Sequence, residues 1–153
     1  MYLIFKLVHV FAVIAFLGNI SVGVFWKAWA DRSKNAAIMA HTMDGIIRAD
    51  KIFTIPGVIL IIIGGLGASY AAGLSILRTG WILWGLALFV LSGIAFGPLS
   101  QVQRRLYALA KAGDLDGYEA ASIGWNVWGT IALVLPLGAA AIMILKPLLP
   151  SFH

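Results

Sequence analysis

His9 is a titratable, metal-ligating side chain set inside a long apolar run. Such a group is costly within a bilayer and marks a functional site by default. A neutral imidazole nitrogen is a common axial ligand for haem iron. Steps of three and four residues from His9 reach Phe5, Ala12, Phe16, Asn19 and Gly23. A helix carries these on one arc, and the arc gathers the small and polar residues of the run with two aromatic rings. It should face other helices rather than lipid. Phe and Gly there would give a macrocycle a flat wall and clearance. The competing reading makes His9 and Asn19 plain interhelical hydrogen-bonding groups, as polar residues in membrane bundles can be. His41 falls in a basic connection and His153 at the C-terminus, where both read as solvated. His9 and His41 belong to opposite leaflets, which disfavours a pair of histidines on one haem.

The elements that must position His9 are four apolar stretches in a chain of 153 residues, 61% hydrophobic and 11% charged. Crossing a hydrocarbon core takes roughly 20 helical residues. The stretches at about 2–25, 52–77, 81–99 and 127–145 meet that requirement, predicting an all-α integral membrane four-helix bundle with 1–153 as one domain. Trp26, Trp29, Trp81, Trp125 and Trp128 stand near the span ends, as interfacial rings do. Ala28-Trp29-Ala30 has the form of a signal-cleavage site. The apolar run is nevertheless longer than a signal core, and only Lys6 precedes its centre, so the first span is expected to be retained.

Eight of the eleven basic residues lie in the first and third connections: Lys27, Arg32, Lys34, Arg48, Lys51, Arg104, Arg105 and Lys111. The positive-inside bias then puts both termini outside. The net charge of +5 is explained by anionic headgroups beside these connections, not by a nucleic-acid partner. Ile38, Met39, Met43, Ile46 and Ile47 recur at helical spacing, with Asp44 and Arg48 as an i, i+4 pair, so the helices should continue beyond the bilayer. Gly64, Ala68 and Ala72, and Gly93 with Gly97, step by four and predict close helix contacts. Gly113 to Gly117 reads as a solvated turn lacking the ligand spacing of a calcium loop.

All six acids fall in the two basic connections, leaving no carboxylate in the bilayer for ion coupling. With no cysteine there is no thiolate site or disulfide, and no hydrolytic triad or phosphate loop is visible. The depth of His9, about 10 Å from the start of the first span at 1.5 Å per residue, places it in the outer leaflet. Gly85 and Met143 lie at comparable depth. A haem there has His9 on one face and Met143 or an open position on the other, with Arg78, Lys6 and Lys146 available to its propionates. Met143 is otherwise a core-filling side chain.

Several motifs carry a resemblance across essentially the whole chain. Tyr2-Leu3, Lys6, His9, Gly18, Phe25-Trp26-Lys27, Ala30-Asp31-Arg32, Arg48-Ala49-Asp50, Phe53-Thr54-Ile55-Pro56-Gly57, Gly80-Trp81 and Lys146-Pro147 resemble the DUF2269 family of predicted integral membrane proteins. More distantly, Lys6-x-x-His9, Thr54-x-Pro56-Gly57 and Gly80-Trp81 are similar to HemJ-type protoporphyrinogen oxidases and CopD-like membrane proteins. That resemblance implies a b-type haem on His9. Gly85 stands where the HemJ-type pattern has a lysine, so the scaffold and the haem ligand are implied and protoporphyrinogen oxidation is not.

The sequence reading is therefore a haem b-binding membrane protein with a redox or haem-handling role. Its metal ligands are His9 and Met143, and its cofactor contacts are His9, Phe5, Phe16, Asn19, Arg78 and Gly85. The enzymatic form of this reading is a haem-dependent oxidoreductase, with the electron donor or acceptor unassigned. The expected surroundings are the lipid bilayer of a cell membrane, of the bacterial inner-membrane kind, and a second copy of the chain. The alternatives are a cofactor-free scaffold or partner subunit and, more weakly, metal or small-solute permeation.

Overall fold

A computed structural model describes residues 1–152; the reading of His153 as solvated lies outside the described residues. The chain forms α1 (Tyr2–Ser33), α2 (Ala36–Ala49), a π-helical segment (Asp50–Thr54), α3 (Ile55–Ala71), α4 (Gly80–Ala112) and α5 (Leu115–Leu145). The fold is all-helical, and four helices are long and apolar enough to span a membrane: α1, the continuous Ala36–Ala71 rod, α4 and α5.

The helices run past the predicted spans at the basic end and stop where local chemistry stops them. Lys34 ends α1 in the left-handed conformation, φ 48°, and Asn35 starts α2 by accepting hydrogen bonds from the amides of Ala37 and Ile38. Gly113, φ 75°, ends α4, and the Asp114 side chain accepts from the Gly117 amide to start α5. Met39 and Met43 are buried and Asp44 bonds Arg48 at 2.8 Å, as the helical reading of the first connection expects.

Three expectations are corrected. The second span ends at Ala71 rather than near Leu77. Gly73, φ 67°, turns the chain, and the apolar Leu74, Ile76 and Leu77 belong to the connection, where the Leu77 carbonyl accepts from the Phe152 amide. Gly93 and Gly97 make no close contact among the described residues: a Cβ at either would meet nothing within 4 Å. The face of α4 that packs on α5 is one position away, through Ser92, Ala95 and Leu99, with Ser92 bonded to the Ala132 carbonyl at 2.9 Å. Trp125 is buried instead of interfacial, 7% exposed within the core.

The bundle is built from two close-packed hairpins, α1 with α3 and α4 with α5. The larger core joins them at the basic end, through Met39, Met43, Leu106, Tyr118 and Trp125. A smaller cluster of Ala12, Phe16 and Ile61, with Phe89 from α4, lies toward the termini. Phe5 over Gly67, Gly80 against Leu149 and Gly85 against Met143 put both termini at the same end.

Candidate functional site

The predicted arc of α1 does face inward. Glycines on α3 let it approach: a Cβ at Gly57 would lie 3.4 Å from the Cβ of Phe16, one at Gly64 2.8 Å from the backbone nitrogen of His9, and one at Gly67 2.4 Å from the Phe5 ring. At 100° per residue, Phe16, Ile20 and Lys27 fall within about 20° of His9, so the imidazole leaves α1 near the centre of its inner face. His9 is half-buried, and its Nδ1 is 2.8 Å from the Ile61 carbonyl oxygen on α3. Gly65, one turn beyond Ile61, opens that route: a Cβ there would come within 3.0 Å of Nδ1 and Cε1.

The residues grouped with His9 from the sequence separate in space. Phe5 shares its end of the α1–α3 contact. Phe16, two turns or about 10 Å along α1, is buried with its ring edge-on to Phe89 at 5.7 Å and 63°. Asn19, about 15 Å along the helix, turns its amide to Asp50 and Thr54. Gly85 and Met143 do meet: the Met143 methyl lies 2.6 Å from where a Gly85 Cβ would stand, so the thioether end fills the α4–α5 contact. Arg78 is exposed on the α3–α4 connection. Lys6 and Lys146 lie over aromatic rings, Tyr2 at 5.8 Å and Trp81 at 5.1 Å.

The donor set fits a single axial nitrogen and not a multidentate metal centre. Among the described residues no three His, Asp or Glu converge. An apolar groove of about 430 Å³ opens between α1 and α3, lined by Leu7, Phe11, Phe53, Pro56 and Leu60 among others, and His9 is not in its walls.

Two polar clusters at the basic end were not legible as sites. Asp50 does not sit in a solvated connection; it is 8% exposed and accepts from Thr54 at 2.7 Å, Gln103 at 2.9 Å and Asn19 at 3.3 Å. Lys27, 1% exposed, donates to Asp31 at 2.5 Å and Ser122 at 3.1 Å, beneath the rings of Trp125 at 5.0 Å and Tyr118 at 5.1 Å. Tyr118 donates to the other Asp31 oxygen at 2.9 Å. Beside it opens a pocket of about 180 Å³ whose rim carries the Lys34–Glu119 pair. That contact holds the Glu119 carboxyl below its usual range and raises the Lys34 ammonium. The available signals were the Lys27/Asp31 and Asp50/Thr54 spacings of four, which place each pair on one helical face.

Four long apolar helices, with His9, Asn19 and Ser92 bonded to neighbouring helices, define an integral membrane bundle. The family description "predicted integral membrane protein", DUF2269, matches residues 3–147. The chain belongs to this family. No curated protein and no solved structure matches it.

Proposed function

We propose that this protein binds haem b in the outer half of the bundle, with His9 as axial ligand, and serves a redox or haem-handling role. The observation that carries the reading is the contact between His9 Nδ1 and the Ile61 carbonyl. A carbonyl oxygen only accepts, so Nδ1 holds a ring proton, and in the neutral imidazole that leaves the Nε2 lone pair for a metal. Ligating histidines are oriented in this way, by a hydrogen bond from the nitrogen that does not bind metal.

Bound haem would supply one-electron chemistry, which the protein tunes through the axial ligand and burial. His9 fixes the position of the ligand nitrogen. Arg78, exposed at the same end, is the cation available to a propionate. Met143 fits a sixth ligand less well than an open position does, because its thioether is committed to Gly85. The setting is the bilayer of a bacterial inner membrane. The exposed apolar groove beside α1 offers a face to a second copy of the chain.

A cofactor-free scaffold is the second reading, and the same contact favours it, since the Ile61 carbonyl already satisfies one nitrogen of His9. The absorption spectrum of protein purified from haem-replete cells separates the two. A Soret band supports haem binding. No band, and none on adding haem, leaves the scaffold.

A further inference from the structure

Asp50 is drawn into the helix packing, and among the described residues it has no ion-pair partner. Its Oδ1 accepts from the Thr54 hydroxyl and the Asn19 amide, and its Oδ2 from the Gln103 amide, while Asn19 also donates to Thr54 Oγ at 2.9 Å. The partners come from α1, the π-helical segment and α4, and all are neutral. The charged groups on the surrounding elements are paired with other residues or turned to the surface. Lys27 on α1 bonds Asp31, and Arg48 bonds Asp44 on α2. His41, Lys51, Arg104 and Arg105 are exposed, and α3 carries no charged residue.

A buried charge without a counter-ion is costly, and such groups pair, hold a cation or change protonation state. Three donors favour the anion while burial favours the acid. These effects oppose each other and leave both forms within reach. The cluster is closed by contacts of 2.7 to 3.3 Å, so a proton is the cation that enters without pushing atoms apart. Its partners can also reverse. The Thr54 hydroxyl can donate or accept, and an amide turned over presents its carbonyl in place of its NH₂. The π-helical turn that holds Asp50 and Thr54 is a rare geometry that recurs at functional sites.

We propose that Asp50 is an exchangeable proton-binding site at the basic end of the bundle. One proton adds to the carboxylate to give the neutral acid, and its release restores the anion. Asn19, Thr54 and Gln103 report that state to α1, the rod containing α3, and α4. The proposal does not rest on haem binding, and His9 variants leave it untouched.

The test is infrared spectroscopy of the full chain in nanodiscs across pH in potassium buffer, comparing wild type, Asp50→Asn and Gln103→Leu. A carboxylic-acid carbonyl band should titrate as one proton in the wild type and be missing from Asp50→Asn. Gln103→Leu removes a donor to the anion and should raise the midpoint by about one pH unit, a tenfold gain in proton affinity. If Asp50→Asn does not fold, the Gln103→Leu shift decides. The proposal is overturned by a wild type without a titrating band, by a band that survives in Asp50→Asn, or by an unmoved midpoint in Gln103→Leu. Loss of the band when sodium replaces potassium at fixed pH would also overturn it, in favour of a metal-cation site.

Discussion

The imidazole of His9 reaches the Ile61 carbonyl because Gly65 has no side chain in the way. Gly65→Ala would set a Cβ 3.0 Å from Nδ1 and Cε1, which the ring can relieve only by moving. A haem titration should show weakened affinity in Gly65→Ala at nearly unchanged fold. Lys27 makes a separate prediction. Its ammonium is 1% exposed and depends on Asp31. Asp31→Asn strands that charge, and breaking a buried pair costs about 3–5 kcal/mol; with Asp31 34% exposed, the lower end applies. Denaturant unfolding should show the loss, and adding Lys27→Met should restore most of it. The inner face of His9 was legible because it follows from helical spacing alone. The surroundings of Asp50 were not. Asn19 and Gln103 lie 31 and 53 residues from it, and nothing local marks partners that far apart.

At the scale of elements, the four spans could be read from hydropathy, while their ends and contact faces depend on geometry that hydropathy does not contain. An apolar run carries through Leu77, but the left-handed turn at Gly73 takes its last residues out of the helix. Small residues four apart look alike in sequence whether they face a helix or lipid. Gly64 faces one, with His9 backbone 2.8 Å from its Cβ position, and Gly93 faces open space. Gly64→Ala should therefore force α1 and α3 apart and cost about 1–3 kcal/mol. Gly93→Ala should change thermal stability by less than about 0.5 kcal/mol. Equal effects would mean that the α1–α3 contact is looser than described. The π-helical segment had no sequence signature; it lies where Asp50 and Thr54 share Asn19 of α1 as a partner and Asp50 also accepts from Gln103 of α4.

For the molecule as a whole, the basic residues and the shared end of the termini give one orientation. Lys34 lies at the basic end and Ser151 at the other. In this cysteine-free chain, Lys34→Cys should label only from inside sealed vesicles and Ser151→Cys only from outside. Labelling of position 34 from outside contradicts that orientation. The central claim, that His9 is a ligand nitrogen on the inner face of the bundle, is tested most directly by the absorption spectrum of His9→Ala beside the wild type and His41→Ala. The account predicts a Soret band in the wild type and His41→Ala, lost or strongly shifted in His9→Ala while the protein stays folded. Removing one interhelical polar contact typically costs only about 0.6 kcal/mol. An identical Soret band in His9→Ala would contradict it.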